Sequence, residues 1–306
     1  MAKRRRRDRP GPAGFLVVDK PAGCTSHDVV DQARGWLGIR RIGHLGTLDP
    51  QATGVLPLAI RGATKLVPFF QSCGKSYVGT IRLGAQTDTL DGEGEIVARF
   101  DGALPTEDRV REAIASFVGE IEQIPPMYSA VKRDGVPLHR LARQGEEVER
   151  EPKKVVIHAL ELLRFDSPEL EVRVDCGPGT YVRSLAQDLG DALGCGAFLS
   201  ALRRTRSEPF GVDQALSRET CQEAASERTL ETMLISPEVA LGFPTTSLAG
   251  SAIENLGQGR EIAPGELERL TPGSRFSALD EAGQFVGVIE LRADRRLWPV
   301  RMLPRG

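Results

Sequence analysis

The groups best placed to do chemistry are concentrated between Arg40 and Gly54, RRIGHLGTLDPQATG. This stretch holds two arginines, one histidine (His44) and a single carboxylate (Asp49), set among glycines. Pro50 fixes its own φ and biases Asp49 toward an extended backbone. One carboxylate held in a set geometry beside cations suits nucleophilic or general-base chemistry that needs no metal. The same composition also suits a Gly-rich surface turn carrying a solvated aspartate. The loop alone leaves both readings open.

The elements that would position the loop can be read from hydrophobic periodicity and from caps. Phe15–Asp19 is a short apolar run that reads as a buried strand ending at Lys20-Pro21. Ser26 is expected to cap a helix that runs to Leu37 and stops at Gly38. After the loop, Val55–Ile60 reads as a strand, and Ala63–Gln71 as a short or kinked helical stretch because of Pro68. Lys75–Gly84 alternates apolar and polar residues and carries Tyr77 near its start. Ile96–Phe100 reads as a further strand, and Thr106 opens an amphipathic helix to Val118.

Val155–Phe165 and Leu170–Cys176 are two more strands. Gly177-Pro178-Gly179 then turns the chain into a helix, capped by Thr180, with Tyr181 and Arg183 in its first turn. Ala197–Arg206 is a strand entering the basic cluster Arg203, Arg204 and Arg206. Between these elements, the segment from Gln123 to Glu151 has Pro-Pro, few bulky apolar residues, and the cations Lys132, Arg133, Arg140, Arg143 and Arg150. It reads as a mobile flap ordered by an anionic ligand, with a short helix near Leu138–Gln144.

Pro237 and Pro244 mark a boundary after an acidic helical stretch. Beyond it, a helix near Ala252–Leu256 and strands at Arg275–Leu279, Phe285–Leu291 and Leu297–Leu303 suggest a small β-barrel of ~60 residues. Strands and helices without regular βαβ alternation indicate an α+β fold with a mixed sheet. The expected division is a basic disordered arm over 1–13, a catalytic domain over 14–240 and a small β-module over 245–306.

Composition excludes several classes. No apolar run reaches the ~18 residues of a membrane span, and the basic N-terminus lacks the apolar segment of a secretory signal. The five cysteines are scattered and contain no Cys-x-x-Cys, so neither a disulfide framework nor a zinc site is expected. A cytoplasmic, metal-free and cofactor-free protein is the resulting expectation. The net charge of −2 hides a segregated distribution. Arginines gather at the N-terminal arm, at Arg40 and Arg41, at Arg203–Arg206 and at the C-terminus, whereas Ser207–Glu268 is strongly acidic. That pattern fits one polyanion-binding face on an acidic body.

Six ordered blocks resemble the TruB family of tRNA pseudouridine-55 synthases. They are FLVVDKPAGCTSHDVV, RRIGHLGTLDPQATGVLPLAIRGATKL, KSYVGTIRLGAQTDTLDGEGE, QIPPMYSAVKRDGVPLHRLARQGEEVEREPKKV, CGPGTYVRSLAQDLG and LRRTRSEPF, and they run from Phe15 to Phe210. The resemblance implies the pseudouridine synthase fold, a largely antiparallel sheet core flanked by helices and loops, with a PUA-like RNA-binding barrel at the C-terminus. It implies that a uridine in the T-loop of tRNA is extruded and isomerised to a C-glycoside.

By the same resemblance Asp49 is the catalytic nucleophile or base, Arg183 its bidentate partner, and Tyr77 the ring that stacks on the base. Tyr181 walls the pocket, His44 supports the flipped arrangement, and Lys20, Lys65, Arg40 and Arg41 contact phosphate or support the site. The T-arm of tRNA is the implied partner, and the chain is expected to act as a monomer without a protein partner. A tRNA-folding protein in which isomerisation is secondary is the alternative from the binding class. A guide-RNA-dependent enzyme of the same superfamily is a third reading, disfavoured by the flap and the compact chain. Three positions depart from the family pattern: Leu45, His139, and Glu208, an acid beside the expected RNA face.

Overall fold

The computed structural model describes residues 11–304 apart from 130, 131, 134, 145 and 147; the side chains at 132, 133, 137, 139, 140 and 143 are also outside the description. The expected basic arm therefore lies largely outside the described residues. So do the side chains of most flap cations and of His139.

The first apolar run forms β1 (Gly14–Lys20), nearly all of it buried. Helix α1 (Ser26–Leu37) follows, with Val29, Val30, Ala33 and Leu37 on its buried face and Gly38 ending it at φ 64°. Its N-cap is Thr25, not Ser26: Thr25 and Asp28 satisfy each other's backbone N–H groups in a capping box. Ser26 is released for another task. Its hydroxyl donates to the Leu48 carbonyl at 3.0 Å and accepts from the Leu48 N–H at 2.8 Å, tying the helix to the loop before Asp49. That loop is also less irregular than its glycines suggested, because β2 (Ile42–His44) pairs with β3 (Thr53–Ile60).

The chain continues through β4 (Lys75–Leu83), the ribbon β5 (Ala85–Thr87) and β6 (Ile96–Arg99), and helix α2 (Glu107–Ser116). Then come β7 (Gly119–Gln123), the short α3 (Leu138–Arg143) inside the expected flap, β8 (Lys153–Asp166) and β9 (Glu169–Cys176). Helix α4 (Val182–Leu193) and β10 (Ala197–Ser207) complete the core. Among the described residues one nine-stranded sheet runs β1-β3-β10-β4-β9-β8-β7, with β2 on β3 and Phe210–Gly211 on the end of β10.

Pairings are antiparallel except β3 with β10, where Thr53 meets Arg203 and Gly54 meets Arg204. The α+β expectation therefore holds, with one parallel junction between the second and third strands of that order. At that junction Gly54 has φ 101°, and a Cβ there would lie 2.2 Å from the Arg204 carbonyl oxygen. Only glycine lets the loop leave the strand at this point.

Beyond α5 (Arg218–Ser226) and α6 (Pro237–Leu241), the C-terminal module contains β11 (Thr245–Ser247), α7 (Gly250–Gly257), β12 (Arg275–Leu279), β13 (Phe285–Leu291) and β14 (Leu297–Met302). The first of these strands, three residues long and parallel to β12, had no pattern by which to find it. The observed pairing is a four-stranded sheet in chain order, with an isolated bridge between Ile262 and Leu297. Leu256, Phe276, Ile289, Leu291 and Leu297 form a local core. Val288, Phe285 and Leu303 instead pack with Phe15, Val17 and Leu66, so the module shares apolar surface with the main sheet.

No helix among the described residues is long and apolar enough to cross a membrane. Replacing Gly54 with alanine is expected to cost about 2 kcal/mol or more through strain and the backbone clash. A clear drop in melting temperature would register it, and an unchanged Tm would contradict the reading of this junction.

Candidate active site

Asp49 lies within the loop, residues 45–52, that connects β2 to β3. Two buried cations fix that loop from below. Lys20, wholly buried at the end of β1, donates to the carbonyls of Pro21 at 2.9 Å, Pro50 at 3.0 Å and Ala52 at 2.7 Å. All three ammonium donors are thereby satisfied, so Lys20 staples the residues just after Asp49 to the end of β1 and has no donor left for a phosphate. Burial holds its pKa below the usual lysine range.

Arg204, also wholly buried, donates to the carbonyls of Val55 at 2.7 Å, Thr47 at 3.4 Å and Gly46 at 3.2 Å. Its strand neighbour Arg203 makes two hydrogen bonds to Asp19, at 2.9 and 2.7 Å. Arg206 lies 3.8 Å from Glu208. The cluster read from sequence as part of a polyanion-binding face is thus largely occupied within the protein, because strand pairing brings carbonyls and acids to it that the linear charge pattern cannot display.

Arg183 enters from the first turn of α4. Tyr181 is the N-cap of that helix. The expected cap, Thr180, instead closes the preceding turn by donating to the Gly177 carbonyl at 3.0 Å. Tyr181 is held by a reciprocal pair of backbone contacts to the Gln123 side chain, at 3.1 and 3.3 Å. The Arg183 side chain is buried and its Nε lies 3.0 Å from Asp49 Oδ2. The expected bidentate pairing is not what forms. The other nitrogens go to Asp91 Oδ2 at 3.4 Å, the Thr89 carbonyl at 3.1 Å and the Tyr128 carbonyl at 2.8 Å. Among the described residues Oδ1 of Asp49 makes no hydrogen bond, so one carboxylate oxygen is held and the other is open.

Asp91 was missed in the sequence, where it sits in a polar turn and reads as solvated. It is buried, and its Oδ1 accepts from the Thr89 hydroxyl at 2.6 Å and the Glu93 N–H at 3.1 Å. Leu90 between them takes φ 64°, a conformation that turns Thr89 and Asp91 toward the arginine. The only sequence signal was the density of Asp, Thr and Gly in TDTLDGEG. That pattern marks a turn without saying what the turn faces.

Desolvation is the largest influence on Asp49 and raises its pKa above the ordinary carboxylate range. Arg183 and Lys20 oppose the rise, and the Asp91 charge adds to it. Tyr77 is buried on β4, and burial raises its phenol pKa against the opposing Arg204. His44 has a buried Nδ1 without a hydrogen-bond partner among the described residues, and burial together with Arg204 lowers its pKa, so the ring is neutral near pH 7.

The remaining candidates make other contacts. Lys65 donates to the Met302 carbonyl at 3.3 Å, linking the main domain to the C-terminal module. Arg40 and Arg41 are exposed, with Arg41 Nε bonded to Thr64 at 2.8 Å. Of the departures, Leu45 is a core residue, and Glu208 accepts the Gly74 N–H at 3.2 Å while its side chain stays exposed beside Arg206. Among the described residues no cluster of three or more His, Cys, Asp or Glu side chains is arranged to hold a metal.

The model of the TruB family pseudouridylate synthase N-terminal domain matches residues 34–182, and that of the tRNA pseudouridylate synthase B C-terminal domain matches 183–241. The chain belongs to the TruB family of pseudouridylate synthases. The tRNA pseudouridine synthase B of Saccharophagus degradans is 39% identical over the full length of both chains. That of Geobacter sulfurreducens is 48% identical over 75% of each. A solved complex of Cbf5 with Nop10 and Gar1 superposes with a TM-score of 0.67 at 27% identity, covering 91% of this chain and 78% of the other. As a TruB-family enzyme the protein is an isomerase that converts uridine in tRNA to pseudouridine.

Two measurements follow from the electrostatics. An acid whose pKa is raised by folding contributes stability that is present below its unfolded value and lost as pH rises through the folded value. Ionised Asp49 is therefore a cost to the fold at neutral pH. Asp49→Asn is expected to melt at or above the wild-type temperature at pH 7, and a marked fall in Tm would contradict this. The acid limb of the single-turnover rate should lie above the ordinary Asp value of about 3.9 and move to lower pH in Asp91→Asn, where the like charge is gone. An acid limb that stays in place or rises in that variant would rule out the assigned coupling.

Proposed function

We propose that the uridine isomerised is the one at position 55 in the T-loop of tRNA, and that Asp49 is the group that attacks it or acts as its base. The observation that carries this reading is the Arg183 Nε to Asp49 Oδ2 contact of 3.0 Å, with the second carboxylate oxygen left open. Isomerisation breaks the N1–C1′ bond, forms C5–C1′, releases the C5 proton and leaves N1 to take up a proton in its place. A carboxylate suffices for the first task provided that it is ionised. Arg183 favours the ionised form and fixes one oxygen, while Lys20 and Arg204 keep the loop from moving.

Extrusion of the base requires something to fill its place in the T-loop. A neutral imidazole such as His44 is compact and planar, and adds no charge inside stacked bases. Tyr77 stacks on the flipped uracil and Tyr181 closes one side of the pocket. Arg40, Arg41 and the flap cations Lys132, Arg133, Arg140 and Arg143 grip the phosphates. The flap root is well placed for this, since Gln123, Ile124 and Tyr128 all bond residues of α4 or its cap. The domain division is a catalytic domain over 14–240 and an RNA-contacting module over 245–306. The enzyme acts as a monomer on tRNA in the cytoplasm.

Release of tritium from tRNA carrying 5-tritiated uridine tests the core of this reading. Asp49→Ala is expected to release none above background while binding the T-arm with near wild-type affinity. Release at a wild-type rate would overturn the assignment, and pseudouridine mapped elsewhere than the T-loop would overturn the choice of uridine.

A further inference from the structure

The buried cations around the Asp49 loop are committed to the protein itself. Lys20 gives its donors to carbonyls, and Arg204 directs each nitrogen to one. Arg183 is divided among Asp49, Asp91 and two carbonyls. Lys75, a fourth cation against the same loop, is not committed in this way.

Lys75 begins β4, two residues before Tyr77, so both side chains leave one face of the strand about 7 Å apart. Tyr77 is paired with Arg204, and Lys75 with Ser207 at the end of β10. Between these two levels the sheet forks. β10 meets β3 only at Thr53 and Gly54, and β3 then takes β2 as its partner at Leu58–Ile60. Gly46 of the loop lies at the fork, over Lys75. A Cβ added there would stand 3.6 Å from Lys75 Cε and 3.6 Å from Arg204 Nη1.

Lys75 is half-buried, and among the described residues its ammonium makes one hydrogen bond, to the Cys73 carbonyl at 3.3 Å. No carboxylate among them pairs with it. Glu208 attracts it from beyond β10, but that acid is bonded to the Gly74 N–H and lies 3.8 Å from Arg206. Burial and the Arg204 charge hold the Lys75 pKa below the usual lysine range. An ammonium has three donors, and a partly desolvated one beside a second cation gains most from an anion.

The anion available here is on the substrate. Gly46 lies between His44, read as supporting the extruded arrangement, and Asp49, read as acting on the nucleotide. We infer that Lys75 binds a phosphate flanking the target uridine, donating to a non-bridging oxygen beside Gly46. The inference rests on the proposed reading in which Tyr77 stacks on that uridine and Asp49 acts on it. A compact ammonium on a flexible stem suits a single phosphate as a point charge.

The test uses the full chain and tRNAs assembled by ligation, each with a neutral methylphosphonate on the 5′ or the 3′ side of the target uridine. The sugar preceding the substituted linkage is 2′-deoxy in these tRNAs and in their phosphate controls. In filter binding, wild type is expected to lose about tenfold in affinity at one of the two positions. Wild-type affinity unchanged at both overturns the inference, whether or not any variant folds. Lys75→Met, which keeps the stem, should lose about tenfold on unmodified tRNA and no more than about twofold further at that same position.

The slope of log Kd against log salt should fall by about 0.7 in this variant. An unchanged slope, or methylphosphonate losses equal to those of wild type, overturns the contact. So does a loss confined to the single-turnover rate at saturating tRNA. Product mapping with wild type and unmodified tRNA separates the two levels. Absence of pseudouridine at position 55 refutes the underlying reading, whereas its presence without the Lys75–phosphate coupling refutes only this inference.

Discussion

A cation buried away from any acid must find carbonyl oxygens, and in this protein the carbonyls it finds belong to the Asp49 loop. Lys20 and Arg204 both meet this constraint. Each would be expensive to bury alone, and each becomes tolerable only when the loop is folded over it. The cost of burying the cations is thereby converted into loop order. Loops with this much glycine ordinarily lose definition; this one is tied by side chains from β1 and β10, from the ladder to β3 and from the Ser26 hydroxyl of α1. The position of Asp49 is a property of the sheet.

Arg183 does for the pocket what those two do for the loop. Its guanidinium reaches the Asp49 carboxylate, the Thr89–Asp91 turn and the Tyr128 carbonyl at the root of the flap. Three segments distant in the chain meet at one planar group, and only one nitrogen serves the Asp49 carboxylate. The arrangement balances opposing influences on Asp49. Burial and Asp91 favour the protonated form, and Arg183 and Lys20 favour the carboxylate. A group so balanced is more reactive than one held far below neutrality by a full bidentate pair.

Much of this was legible in the sequence, and what was not has a common cause. Asp49 could be found because one acid stands among glycines and before a proline. The strands around Leu16, Leu56, Ile81 and Val172 could be found because their apolar pattern is local. Helix α1 was placed within a residue, though Thr25 took the cap expected of Ser26. The roles of Asp91 and Arg204 were not legible, and for Lys20 the resemblance left support of the site and phosphate contact as alternatives. Each is charged and would ordinarily be assigned to solvent, and each acquires its function from partners that arrive through tertiary structure. The bond between Arg204 and Val55 spans 149 positions. The parallel pairing of β3 with β10, which creates it, leaves no signature in either strand alone.

The staples on the loop contact main-chain atoms: the carbonyls of Gly46, Thr47, Pro50 and Ala52 are the acceptors. A carbonyl is the same whatever residue bears it. The backbone path past Asp49 is therefore insulated from the identity of the exposed side chain at Thr47 and the half-buried one at Gln51. Side chains at these positions can change while the Asp49 carboxylate stays in place. The path of the backbone and the surface it presents thus reside in the same few residues but in different atoms.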